Sequence, residues 1–253
     1  DGVRLRSLLE DLHPADVADL MGFLTAEHRA VVVLWLPPEL LADTLPELDD
    51  GIREEVLERV PNATLAEALQ ELDSDDAAAV VEDLEDDQRE RVLAAMPELD
   101  RAAIESSLGY EEDSAGRLMQ SEVVTAPQHW TVGETIDFLR REDWLPDQFY
   151  HVILVDPRRH PVGYVTLGRL LSAQRTTRLA DIAEDSFRTI GVLQDEGDVA
   201  YAFNQYHLIS APVVDADDRL VGVITIDDAM GVLDEEHEED MLRLSGVNEE
   251  SHV

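Results

Sequence analysis

An α+β multidomain chain is predicted, in three parts. An all-α helical superhelix covers residues 1–109. A pair of duplicated βαββα-type units follows at 110–175, which includes the linker, and at 176–233. An acidic helix starts near 234 and frays toward 253. Three observations in the 253-residue sequence lead there. A helix-starting cluster recurs every 12 positions through the first hundred residues. Residues 150–171 and 209–230 read as two copies of one unit, 59 positions apart. Ten acids against one arginine crowd the stretch from Asp227 to Val253.

The 12-residue clusters are Leu12-His13-Pro14, Leu24-Thr25-Ala26, Leu36-Pro37-Pro38, Leu48-Asp49-Asp50, Val60-Pro61-Asn62, Leu72-Asp73-Ser74, Leu84-Glu85-Asp86 and Met96-Pro97-Glu98. Proline just inside a helix brings a preset φ, and Asp, Ser or Thr at the cap brings an acceptor for free amide donors, so each cluster can end one helix and begin the next. Helices of about nine residues are marginal alone. They are therefore expected to stack as hairpins that bury Val17, Leu20, Leu57, Leu65, Leu69, Val81 and Val92, giving a right-handed or bent array. The helical period fades near Gly109, and Tyr110 to Met119 reads as the linker.

In the duplicated part, Val155-Asp156 aligns with Val214-Asp215, Val162-Gly163 with Val221-Gly222, and Thr166 with Thr225. Each copy reads as a short apolar strand, a polar turn, a second apolar strand and a Thr at the start of a helix. The first unit is expected to use Val123-Val124 as a strand, a helix capped by Thr131 with Glu134 at capping-box spacing, and strands at 152–155 and 163–165. The second has a helix near Val199 to Tyr206 and strands at 211–214 and 222–224. The helix positions correspond at an offset nearer 63, which puts about four extra residues in the first unit around Trp144 to Gln148.

Composition bounds the function. A chain of this length should form about two domains. The longest apolar run, Ala30 to Leu36, is far short of the roughly 20 residues that span a bilayer. No cysteine is present, which excludes disulfides and thiolate metal sites. The chain begins at Asp1, so it is expected to be part of something longer. With 57 acids against 19 bases, every base an arginine, the net charge is −38, and nucleic acid is a poor partner for such a surface. Two readings of the acidity stand open: a solvated coat suited to a salty cytoplasm, and cation binding. The crowding of acids at 227–253 favours the second. There is no His-Glu-x-x-His, no phosphate-cradling Gly-Lys-Ser loop and no nucleophile elbow, so an enzyme is not expected.

His13-Pro14-Ala15-Asp16, the linker from Tyr110 to Met119, and Val221-Gly222-Val223-Ile224-Thr225-Ile226-Asp227-Asp228 together resemble the MgtE family of magnesium channels. In that family's cytosolic half, a helical superhelix precedes tandem cystathionine beta-synthase (CBS) domains. The resemblance covers essentially the whole chain. It implies a magnesium-sensing gating region on the cytoplasmic side of the membrane, a homodimer formed through the CBS domains, and a membrane pore domain after Val253. It also implies metal-binding carboxylates at Asp43 and Asp75 in the array, Asp195 and Asp228 in the second CBS unit, and Glu236, Glu239 and Asp240 in the tail helix. Where the family has further acids, this chain has Ala79, Gly197, His207 and Gly231, with Asp83, Glu196 and Asp198 as neighbours that could rebuild a site. Backbone-carbonyl contacts would fall at Arg117 and Asn204.

The physical chemistry of these positions is consistent with weak sites. Magnesium keeps several waters and usually takes one or two carboxylates. Two carboxylates about 6 Å apart repel by roughly 0.7 kcal/mol in water and about 3 kcal/mol at an effective dielectric of 20. Turning a two-state equilibrium from 1:99 to 99:1 takes about 5.5 kcal/mol, so several ions acting together are expected. In the tail helix, Asp234 with Glu238, Glu235 with Glu239, and Glu236 with Asp240 are like-charge i, i+4 pairs, while Leu233, His237, Met241 and Leu244 share a stripe. A second reading is a free-standing regulator binding ATP or another adenosine nucleotide, with the Thr225 hydroxyl and the Asp228 carboxylate holding the ribose. The first unit breaks that pattern, with Thr166 followed by Arg169. Thr225 as a helix cap with Asp228 in the first turn explains the same spacing without a ligand.

Overall fold

A computed structural model describes residues 2–142, 144–146, 148–184 and 187–245. The chain divides into two compact units, 1–109 and 110–253.

The first unit is all helix. After α1 (Gly2–Leu9) come α2 (Pro14–Phe23), α3 (Ala26–Val33), α4 (Pro38–Thr44), α5 (Asp50–Leu57), α6 (Asn62–Ala68), α7 (Ser74–Glu82), α8 (Asp86–Ala95) and α9 (Glu98–Ser107). Each of the eight clusters starts a helix at its third residue. The hairpin expectation is corrected: α2 packs most closely on α4, α4 on α6, α6 on α8, α3 on α5 and α7 on α9. Each two-turn helix is preceded by an extended cap residue such as Pro37 (ψ 149°) or Pro61 (ψ 138°), which breaks the axis between successive helices. Side-by-side burial then falls to the next helix but one. Val17, Leu57, Leu65, Leu69, Val81 and Val92 are all buried in the resulting core, and Leu20 packs at its edge.

The cap chemistry also differs from expectation. Thr25 and Asp49 make no side-chain cap bond, and the Thr25 hydroxyl meets His28 Nδ1 at 3.0 Å instead. Arginines four residues after a cap take over the helix ends. Arg29 donates to the carbonyls of Met21 and Leu24, Arg53 to Leu48, and Arg89 to Val81, Glu82 and Leu84. These carbonyls are acceptors that a helix C-terminus leaves without intrahelical partners. Arg29 is also paired with Glu55, and Arg53 with Asp83, each at 2.5 Å.

The second unit holds α10 (Ala115–Leu118), β1 (Thr125–Pro127), α11 (Val132–Leu139), β2 (His151–Val155), β3 (Pro161–Thr166), α12 (Leu167–Ser172), β4 (Ile190–Gly191), α13 (Glu196–Tyr206), β5 (Ser210–Val214), β6 (Leu220–Thr225) and α14 (Ile226–Ser245), with a 3-10 turn at Leu179–Asp181. Two three-stranded sheets, β1-β2-β3 and β4-β5-β6, repeat one topology, a parallel pair followed by an antiparallel one. Register shifts fall at Leu154/Val155 and at Val213/Val214, 59 residues apart. β1 starts two residues later than the expected Val123-Val124. The Val123 amide turns back to the Ser121 carbonyl, and pairing begins where Ile153 N–H donates to the Val124 carbonyl at 2.9 Å. Thr131 and Glu134 form the capping box. β1 and β4 correspond at an offset of 64 through their partners Leu154 and Val213, so five residues rather than four are added between helix and second strand in the first copy.

The two copies exchange their leading segments. Gln120 bridges to Val223 of the second sheet, and Glu184 bridges to Tyr164 of the first. Consequently Tyr110, Ala115, Leu118 and Met119 pack in the second copy's core, while Leu179, Ile182 and Ala183 pack in the first.

Candidate functional site

Thr225 ends β6 and caps α14. Its hydroxyl donates at 2.5 Å to Asp228 Oδ2 and lies 2.5 Å from Asp227 Oδ1, and its amide donates to Asp228 Oδ2 at 3.3 Å. The i, i+3 spacing at a helix start folds the carboxylate back onto the cap, as the capping-box pattern does. Thr225 is buried and Asp228 is half-buried. Burial pushes the Asp228 carboxyl up to about 6, aided by the negative charge of Asp227 and opposed by the Thr225 hydrogen bonds. A carboxyl held there gains from any cation that neutralises it.

Thr225 also lines a shallow, solvent-open cleft between the two copies. Gln120, Glu122, Val123 and Val124 form one wall. Gln148, Phe149, Tyr150, His151 and Ile153 form the second, with Ser210 and Val223 across from them. His151 and Ser210 occupy equivalent positions, 59 apart, and meet at 2.5 Å across the pseudo-two-fold axis. Burial lowers the His151 pKa, which keeps the ring neutral near neutral pH. The sequence alone assigned no binding role to His151 and did not locate this cleft. The 59-residue offset that pairs it with Ser210 was the available signal.

The other predicted carboxylates are distributed over the fold. Asp43 is exposed on α4, and Asp75 is half-buried in the first turn of α7, where its Oδ1 accepts the Asp76 amide at 3.0 Å. Asp195 is exposed and caps α13, accepting the Asp198 amide at 3.2 Å. Glu236, Glu239 and Asp240 lie on α14, with their side chains outside the described residues. Of the neighbours that could rebuild a site, Asp83 is engaged by Arg53. His207 has a left-handed backbone (φ 53°, ψ 44°) that terminates α13. Among the described residues no cluster of three or more His, Cys, Asp or Glu could hold a metal ion. No described helix is long and apolar enough to cross a membrane.

Duplicated βαββα units that share a cleft define a CBS pair, and residues 115–176 and 180–235 match the CBS domain family. Residues 12–113 match the family described as the MgtE intracellular N domain. The fold is that of a crystal structure of the cytosolic domain of the Mg2+ channel MgtE in complex with ATP, at a TM-score of 0.85 and 34% identity over 92% of this chain and 95% of that one. A crystal structure of the soluble part of a magnesium transporter superposes at a TM-score of 0.82 with 27% identity, covering 93% of each chain. The chain belongs to the MgtE family and corresponds to its cytosolic region. It is 34% identical over 247 residues to the magnesium transporter MgtE of Thermus thermophilus (96% of this chain, 55% of that protein), and 27% identical over 235 residues to that of Bacillus subtilis (93% and 52%). The chain thus spans about half the length of these relatives.

Proposed function

We propose that this chain is the magnesium-sensing region of a divalent-cation channel or transporter, holding a pore shut when its carboxylates bind Mg2+. The observation that carries the reading is the succession, in one chain, of an MgtE N domain and a CBS pair, in relatives that are named magnesium transporters. The donor set suits the ion. Asp43, Asp75, Asp195 and Asp228 offer hard carboxylate oxygens, mostly one per element, and magnesium prefers one or two carboxylates and its own waters. Such sites are weak singly, which suits a sensor of an abundant ion. Carboxylates drawn from both units, with Glu236, Glu239 and Asp240, would then act together to supply the several kcal/mol a gate requires. A bound ion would supply charge neutralisation, and the repulsion it relieves is already present at Asp227 and Asp228. The assembly proposed is a homodimer through the CBS units, joined to a membrane pore domain of the same polypeptide on the cytoplasmic side of the membrane.

Limited proteolysis tests the sensor reading. Millimolar Mg2+ should protect the chain where NaCl of equal ionic strength does not, and Asp75→Ala with Asp228→Ala should abolish the difference. Equal protection by both salts would contradict it.

A second reading, binding of an adenosine nucleotide, is favoured by the Thr225–Asp228 pair beside the cleft, and a relative's cytosolic domain was crystallised with ATP. Asp228 cannot serve a ribose and a metal at once, so the two ligands would compete for it.

A further inference from the structure

The first unit repeats every 12 residues, and α3 departs from the repeat on its outer side. Val31 stands where the array elsewhere has Asp19, Asp43 and Glu67. Leu34 stands where it has Glu58, Gln70 and Glu82, and Trp35 where it has Glu47 and Glu71. All of these polar residues are exposed. The register thus marks the solvent side of the helices, and α3 alone places a large apolar residue at all three positions.

The three side chains stay exposed, Val31 by 50%, Leu34 by 70% and Trp35 by 39%. The Trp35 amide still donates to the Val32 carbonyl at 2.9 Å, so the helical turn continues through it, and the spacing i, i+3, i+4 lays all three on one stripe. The opposite side of α3 is already used, since Val32 and Val33 are buried and α3 stacks on α5. Exposed hydrophobics scattered singly need no account, whereas a stripe at helical spacing marks a contact surface. Its border is acidic. Residues 28–38 contain no acid, yet residues 1–109 hold 28 acids against eight arginines, a net charge of −20. Glu27 lies one turn before Val31 on the same face. Exposed Glu54 and Glu58 come from the adjoining α5, which Arg29 ties to α3 through Glu55.

An apolar centre inside a charged rim is the anatomy of a protein interface, and Trp is among the side chains that anchor one. A stripe read at i, i+3 and i+4 matches the apolar face of another helix. The rim fixes the sign of the partner. A second copy of this chain carries −38 and is repelled, while lysine or arginine beside a partner's apolar face is attracted. We propose that the outer face of α3 docks a basic amphipathic helix of another protein, with Val31, Leu34 and Trp35 as the apolar contact and Glu27 and Glu58 as the acidic rim.

Fluorescence anisotropy with two labelled synthetic peptides tests it on the 253-residue chain in about 0.15 M NaCl. One peptide is a lysine-rich helix of about five turns with leucine at i, i+3, i+4 and i+7 spacing. The other has the same composition, scrambled to remove the apolar face. The amphipathic peptide should bind at one per chain and about tenfold more tightly than the scrambled one. Tenfold is about 1.4 kcal/mol, less than burial of one leucine supplies. Val31→Asp with Leu34→Glu, which restores at two exposed positions the residue types of the rest of the array, should erase that preference with unchanged circular dichroism. Leu34→Glu alone should reduce it. Equal binding of both peptides to the wild type would mean attraction to the acidic coat alone and would overturn the proposal, as would no binding of either. A preference that survives in the folded double variant would overturn the location. A wild-type dimer that the double variant turns into a monomer in sedimentation would make a second copy the occupant and contradict the basic partner.

Discussion

Asp228→Asn should stabilise the protein at neutral pH, and the size of the gain follows from the carboxyl's surroundings. Its pKa stands at about 6 in the fold against an ordinary 3.8. A tenfold change in proton affinity is worth about 1.4 kcal/mol, so holding the ionised form in the folded state costs about 3 kcal/mol. The sign follows from the raised value. Below an ordinary carboxyl pKa both states are protonated and no difference arises. Between that value and about 6 the unfolded chain ionises first, so stability falls as pH rises, and above about 6 the full cost applies. Asparagine removes the charge and keeps an amide oxygen that can accept from the Thr225 hydroxyl and amide. Part of the gain is offset because the charged hydrogen bond from the Thr225 hydroxyl is lost. Urea unfolding in EDTA, followed by tryptophan fluorescence, should show Asp228→Asn more stable than wild type by about 1–3 kcal/mol at pH 7.5, a difference that shrinks toward zero near pH 4. A variant less stable at pH 7.5, or a difference equal at both pH values, would refute the burial argument.

Arg53→Ala removes a largely buried guanidinium that holds Asp83 at 2.5 Å and the Leu48 carbonyl at 3.4 Å, and it should cost about 2–3 kcal/mol in urea denaturation. Gly222→Ala places a Cβ 2.4 Å from Met119 Sδ and 2.9 Å from the Gln120 carbonyl oxygen. The methionine can yield but the backbone cannot, so a loss of about 1–3 kcal/mol is expected, read as a lower melting temperature. Thr131→Ala breaks the capping box of α11 and should cost about 1 kcal/mol in the same assay.

Legibility followed locality. The eight helix starts were readable because a proline or a capping residue sets φ and ψ within a few positions of itself, and the 12-residue spacing repeated that signal. Which helix packs on which was not readable, because the next-but-one contacts depend on the bend between helices. Arg29, Arg53 and Arg89 recur four residues after their caps, but their acceptors are carbonyls of the preceding turn and helix that only the folded array brings near. The fold of the duplicated unit was visible in Val155-Asp156 and Val214-Asp215, whose strands lie next to one another in sequence. The exchange of leading segments was not, since Gln120 and Val223 meet across about a hundred residues. The Thr225–Asp228 pair was legible for the same reason as the caps, being one helical turn. The cleft beside it joins 120–124, 148–153 and 210–225, and no local pattern announces that meeting.

Small-angle scattering across Mg2+ from zero to tens of millimolar tests the magnesium-sensing claim most directly, with NaCl at matched ionic strength and with Asp75→Ala and Asp228→Ala as controls. The account predicts a cooperative fall in radius of gyration with Mg2+ that sodium does not reproduce and that the substitutions abolish. A response identical in sodium, or one that both substitutions leave intact, would contradict it and reduce the acidic surface to a screened coat.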